Sequence, residues 1–420
     1  MLSKHSSKTL CFQMKNNEYF CRKKTKIMKA LELRPKIFLI LHFLLSFSAI
    51  AQTLKPVVTS ITPKPTVYSI IEQVRKKYAP DKRVAIFQAD LDSNRIVGKT
   101  NLPLAKKELI NRLKSNGYVL VDAVRVLPDA EELGDKMYAF VNVSVANMRS
   151  QPKEPAELAT QALLGTPLKV FDKDRYWYQV QTPDNYIGWV EGTTIDRVTK
   201  VELDHYQAKN KLMFSKPYGF SYSKPDENAQ TISDLTWGDL LVVKDTLKDF
   251  YEVVYPDDRT AFVAKNEVIH FQKWQQMTQA TEQNLVNTAN RMMGLPYLWG
   301  GTSWKGVDCS GFTRVIYQSN GILLPRDASQ QVYAGEEVAF EQLKAGDLLF
   351  FGEKATTEKP EKVVHVGMWI GNNQFIHSSG MVKVSSFDKN YSNYDSHNAS
   401  RYLRARRILG SEKGIVSLKK

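Results

Sequence analysis

Three side chains in this sequence carry the chemistry of a nucleophile and its base: Cys309, in the run VDCSGFTRVIY, and His365 and His377, in VVHVGMWIGNNQFIHSS. The thiolate, not the thiol, attacks a carbonyl carbon, and histidine is the side chain whose ordinary titration range suits it to take the thiol's proton. A second imidazole bonded to the far ring nitrogen of the first would fix its tautomer. The expected order of nucleophile, base and orienting group is therefore Cys309, His365, His377.

The elements that must position them can be read from the pattern. Phe312, Val315 and Ile316 recur on one helical face after Cys309, and Asp308 is the natural N-cap of that helix. A cysteine in the first helical turn faces the positive end of the helix dipole, so its pKa is expected to fall. Glycines at 300, 301 and 306 let the backbone turn tightly just ahead of it. Thr281 to Met293 has helical spacing, whereas KAGDLLFF, VVHVGMWIG and NQFIHSS alternate as strands with Gly371-Asn372-Asn373 as a turn. His365 and His377 each lie six residues from Gly371, so folding the hairpin is expected to bring both imidazoles to the same end of adjacent strands. Cys309, His365 and His377, with Asp308, also have the donor types of a zinc site. No Cys-x-x-Cys or His-Glu-x-x-His spacing accompanies them, and the helix-start cysteine is explained without an ion, so no metal or other cofactor is expected.

Of the three cysteines, Cys11 and Cys21 precede an apolar run, Ile37 to Ile50, that ends in Ala49-Ile50-Ala51. This reads as a secretory signal over residues 1–51, cleaved near Ala51, with Arg22 to Lys29 as its basic region and Met28 as an alternative start. The run is too short to span a bilayer, so no transmembrane segment is expected in the mature chain. That chain would keep Cys309 as its single cysteine, and a lone thiol in an exported, periplasmic or secreted protein calls for a chemical explanation. The net charge of +14 shrinks with the signal: ten Lys/Arg against two acids in the first 36 residues contribute +8, leaving 14 − 8 = +6. No basic run with interleaved aromatics occurs, which excludes a nucleic-acid partner on charge patterning.

Upstream of the chemistry lies an internal repeat. LGTPLKVFDKDRYWYQVQTPDNYIGWV from Leu164 aligns without a gap on WGDLLVVKDTLKDFYEVVYPDDRTAFV from Trp237, an offset of 73 residues. Matches alternate in period two within short runs separated by turn residues, which predicts two small β-barrels in tandem, over 137–200 and 201–272. Residues 52–136 read as a small α+β unit: a helix from Val67 to Tyr78, a hairpin, a helix from Ala105 to Asn116 and a returning strand. The tandem barrels resemble the bacterial SH3-like domains that accompany wall enzymes. The last domain, 275–410, resembles the NlpC-type (NlpC/P60) cysteine peptidases of bacterial cell walls through YLWGG, VDCSGF, LPRDASQ, GDLLFF, HVGMWIG and FIHSS.

The resemblance implies an α+β chain whose papain-like peptidase domain follows two SH3-like barrels and a small N-terminal unit. It assigns Cys309 as nucleophile, His365 as general base and His377 as the third polar member. Tyr297 would line the site beside the oxyanion, with Asp308 and Ser310 at the substrate. Family members with paired barrels cleave the bond between γ-D-glutamate and the diamino acid of peptidoglycan stem peptides that begin with a free L-alanine. Asp327 would then receive the amine, with Glu157 and Tyr186 of the first barrel roofing the cleft; Glu154 lies close enough in sequence to compete for the place of Glu157. Two rivals stand beside this reading: an amidase or endopeptidase acting on intact peptidoglycan with the same triad, and a wall-binding protein whose barrels do the work while catalysis is residual.

Overall fold

The computed structural model describes residues 64–419, together with the backbone of a short antiparallel pair, Phe12–Gln13 with Tyr19–Phe20. Apart from that pair, the expected signal segment lies outside the described residues. Thr66 caps a helix over Val67–Tyr78 by accepting from the Ser69 N–H at 3.1 Å. A hairpin, Phe87–Asp92 with Arg95–Thr100, a helix over Pro103–Ser115 and a strand over Val121–Val126 complete the unit. The returning strand pairs parallel with Arg95–Thr100, as a crossover through a helix requires. Ile70, Val74, Ile96, Leu109 and Val124 form its core. The loop after Ala79 ties this unit to the rest of the molecule: the Ile187 N–H donates to the Arg83 carbonyl at 2.7 Å, and Ile86 is buried with Phe171 and Ile187 of the first barrel.

The repeat extends well beyond the aligned segment. Every strand of the first seven-stranded sheet has a counterpart in the second at the same offset: Tyr138–Val141 and Lys211–Phe214 differ by 211 − 138 = 73, and Ile187–Glu191 and Thr260–Ala264 by 260 − 187 = 73. The opening three strands escape the sequence match because their inward positions hold the same kinds of residue, not the same residues: Ala139 and Val141 pack where Leu212 and Phe214 do. A helix over Lys200–Ala208, with Thr199 and Glu202 bonding each other's backbone at its start, joins the barrels.

The last unit is built around a six-stranded antiparallel sheet. Its spatial order runs Glu336–Val338, Tyr402–Arg407, Leu348–Glu353, Lys362–Gly371, Gln374–Ser379, Met381–Ser386. The helix Cys309–Ser319 lies on it, and Phe312, Val315, Ile316 and Tyr317 are each 2% exposed or less. Burial of side chains of this size contributes about 1.5–3 kcal/mol apiece, which holds the helix against the strand that carries His365. The unit runs past the expected boundary at 410: Val416–Ser417 pairs with Ile322–Leu323, and Gln275 Nε2 donates to the Leu418 carbonyl at 2.9 Å. Among the described residues no helix is long and apolar enough to cross a membrane.

Candidate active site

Asp308 caps the Cys309 helix, taking the Gly311 N–H on Oδ1 at 2.7 Å, and its Oδ2 accepts the Gly300 N–H at 3.0 Å. One carboxylate thus fixes both the helix start and the glycine turn in front of it. That turn needs glycine at 300, where φ is +77° and a Cβ would lie 2.3 Å from the Leu158 carbonyl oxygen of the first barrel. Arg326, 1% exposed, closes on the same carboxylate at 2.6 and 3.2 Å and also donates to Ser310 Oγ at 3.0 Å. Asp308 and Ser310, expected at the substrate, are both buried, with side-chain oxygens engaged by Arg326 and the helix start.

The Cys309 sulfur is partly buried, with the Val366 N–H turned towards it from the residue after His365. Burial, reinforced by the Asp308 charge, pushes the thiol up to about 11, against the smaller opposing effects of the Val366 and Ser310 N–H groups and Arg326. The expected fall in pKa is therefore overturned, because desolvation of the thiolate outweighs the helix start. Burial likewise depresses His365, to about 3 with a further contribution from His377, and His377, to about 4. The Cys309 thiol, like the His365 imidazole, is thereby biased towards its neutral form. Its alkylation by iodoacetamide is expected to accelerate about tenfold per pH unit from pH 7 to 10; a rate that levels off near pH 6 would show a thiolate–imidazolium pair instead.

His365 and His377 meet at 2.8 Å, Nε2 to Nδ1. The turn residues Asn372 and Asn373 both take positive φ, 50° and 56°, and the register runs Met368 to Ile376 and Trp369 to Phe375. One step further on, Gly367 stands opposite His377, so the imidazoles are diagonal neighbours, not the directly facing pair that symmetry about Gly371 suggests. The turn centres on Asn372-Asn373, pairing Gly371 with Gln374, and a bulge between Trp369 and Gly371 then moves the register by one. Gly367 has to be small, since a Cβ there would lie 3.2 Å from that of His377. A hydrogen bond between the two ring nitrogens uses the proton and lone pair that a shared ion would need. Behind them, His377 Nε2 is 3.0 Å from Ser385 Oγ and 4.0 Å from Asp395 Oδ2.

Tyr297 adjoins this site, its hydroxyl pushed up to about 12 by burial and by nearby Cys309 and Asp308, and so remains a proton donor. Asp327, next to Arg326, accepts from the Tyr186 hydroxyl of the first barrel and from Arg83 Nη1 at 2.9 Å. Arg83 comes from the N-terminal unit, where Asp81 grips it through Nε and Nη2, both at 2.8 Å. Glu157 accepts from Trp299 Nε1 at 2.9 Å, whereas Glu154 pairs with Arg149 at 3.2 Å, away from the peptidase domain. Arg83, Asp81, Ser385 and Asp395 went unforeseen: the first two lie on a connecting loop, and the last two follow the motif-bearing strands with no spacing signal.

Residues 294–401 match the NlpC/P60 family, and residues 148–195 match the bacterial dipeptidyl-peptidase Sh3 domain. A gamma-D-glutamyl-L-lysine dipeptidyl-peptidase of Bacillus cereus is 34% identical over 232 residues, spanning 53% of this chain and 67% of the relative. A protein of the same name from Bacillus subtilis is 31% identical over 229 residues, spanning 53% and 72%. The crystal structure of an NlpC/P60 family protein from Bacillus cereus superposes with a TM-score of 0.56 at 28% identity, covering 65% of this chain and 99% of that one.

Proposed function

The chain belongs to the NlpC/P60 family and is a cysteine-type hydrolase; from that premise we propose that it cleaves the γ-D-glutamyl–diamino acid bond of peptidoglycan stem peptides bearing a free N-terminal L-alanine, releasing the L-Ala-D-Glu dipeptide. The observation that carries the reading is Asp327. One residue from the guanidinium that grips Asp308, it is a carboxylate already receiving a cation and a tyrosine hydroxyl from two other parts of the chain. An ammonium group fits the same place. The first barrel acts as the roof that excludes longer substrates, with Glu157 and Tyr186 as its contacts.

In the reaction, His365 Nδ1 takes the Cys309 proton as the sulfur adds to the γ-carbonyl, and the carbonyl π pair moves to oxygen. The Cys309 N–H and the Tyr297 hydroxyl stabilise that oxyanion. Collapse breaks the C–N bond, with the proton returning from His365 to the leaving amine, and water then hydrolyses the thioester with His365 again as base. The reading includes export of the mature chain. A partly buried thiol whose pKa is raised resists oxidation in such a compartment.

Two substitutions separate this proposal from its rivals by moving KM in opposite directions. Asp327→Ala is expected to raise KM for a free-amine stem tripeptide by roughly 10- to 100-fold, the loss of one charge-assisted bond. Arg83→Ala removes a competing cation and is expected to lower it several-fold. An unchanged preference for free-amine over N-acetylated tripeptide in Asp327→Ala would defeat the amine assignment. Comparable rates on whole sacculi would favour intact wall as the substrate.

A further inference from the structure

The orienting histidine itself has to be oriented, and the residues behind it do so with a defined polarity. His377 is fully buried, and both its ring nitrogens are engaged: Nδ1 with His365 Nε2 at 2.8 Å, and Nε2 with Ser385 Oγ at 3.0 Å. Geometry alone leaves two self-consistent ways to place the protons along this chain. In one, every proton points away from Cys309 and His365 Nδ1 is bare; in the other, every proton points towards it and His365 Nδ1 carries a hydrogen. Only the first makes His365 a base for the thiol.

Asp395 decides between them. Its carboxylate lies within hydrogen-bonding reach of the Ser385 hydroxyl. At 4.0 Å from His377 Nε2 it is too distant to bond the ring directly. The carboxylate is itself held, taking the Asn398 N–H at 2.9 Å and Asn398 Nδ2 at 2.6 Å, while the Asp395 N–H donates to the Ser386 carbonyl at 2.9 Å. Burial raises its pKa, but the Asn398 donors and the neighbouring His377 outweigh this and keep it below the ordinary aspartate value. An ionised carboxylate can only accept. Ser385 must therefore spend its proton on Asp395 and offer a lone pair to His377, which makes His377 the Nε2–H tautomer with Nδ1 bare. His365 must then donate from Nε2, and its own Nδ1 is left bare for the thiol proton.

We propose that Asp395 is a positioning residue which, through the Ser385 hydroxyl, sets the tautomers of His377 and His365 and so makes His365 Nδ1 the base for Cys309. The proposal rests on the roles given above to Cys309 and His365. It extends the relay by two groups, on the strand Met381–Ser386 and at the N-cap of the helix Ser396–Ser400.

Asp395→Asn tests it in the full chain, because asparagine caps a helix as well as aspartate does but can donate to Ser385 as well as accept from it. Two-dimensional NMR of the 15N-histidine-labelled chain is expected to show Nε2–H tautomers for both rings in the parent chain and a detectable share of Nδ1–H in Asp395→Asn. The same shift is expected in Ser385→Ala, which leaves the helix cap untouched. kcat on the free-amine tripeptide is expected to fall by roughly 10- to 100-fold in both variants, the usual cost of removing a group behind a working histidine, with KM within about twofold of the parent. Nδ1–H tautomers in the parent chain would overturn the proposal, as would unchanged tautomers and unchanged kcat in both variants. Failure of the underlying reading would show separately, as a His365→Gln chain that still turns over.

Discussion

A Cys309→Ala chain will bind the free-amine stem tripeptide and not cleave it: kcat is expected to drop by about 10,000-fold or more, the scale seen when a covalent nucleophile is removed, while the dissociation constant stays within about threefold. The small binding change follows from where the sulfur sits. The candidate amine contacts, Asp327, Tyr186 and Glu157, lie on other elements, and the helix start is held by Asp308 and Arg326, whose bonds do not involve the Cys309 side chain. Calorimetry of peptide binding alongside a product assay separates the two effects. A Cys309→Ala chain that keeps a tenth of parental turnover would end the nucleophile assignment.

The second large effect is structural. Arg326→Ala leaves the Asp308 carboxylate buried without its counter-charge, and breaking a buried pair from one side costs about 3–5 kcal/mol. A fall of roughly 10 °C in the melting midpoint of the peptidase domain is expected. Because the same carboxylate holds the Gly300 turn and caps the Cys309 helix, kcat should fall with it. Adding Asp308→Asn to Arg326→Ala removes the orphaned charge while keeping an N-cap, and should recover part of the lost midpoint. If the single variant melts with the parent, the ion pair does not hold the site together.

How far the sequence reached depends on whether a feature was local. The Cys309 helix with its Asp308 cap and the Asn372-Asn373 turn were legible because capping and turn chemistry are written within a few neighbouring residues. The seven-stranded barrels were legible only in part. Their shared segment keeps residue identities, but the opening strands keep only inward-facing character. The register between His365 and His377 was not legible because the turn centres on Asn372-Asn373 and not on Gly371, and a bulge then shifts the pairing by one; bulges leave no pattern in a single strand. The surroundings of Asp308 and Cys309 were not legible for a single reason, burial: a sequence places the helix dipole at a cysteine but does not show how much water is removed around it, and here Arg326 arrives from 18 residues away to bond Asp308. Arg83 is more remote still, 244 residues from Asp327, on a loop whose composition is that of any solvated turn.

The central claim is that Cys309 becomes covalently acylated with His365 as its base, and acid-quenched mass spectrometry tests this most directly. The protein is mixed with excess free-amine stem tripeptide, quenched within the first turnovers and digested. The account predicts that the Cys309 peptide gains the mass of one L-alanyl-glutamyl acyl group, that hydroxylamine removes this mass, and that a His365→Gln chain fails to acquire it. Product release from a chain whose Cys309 peptide stays unmodified at every quench time, or turnover that survives full alkylation of Cys309, would contradict it.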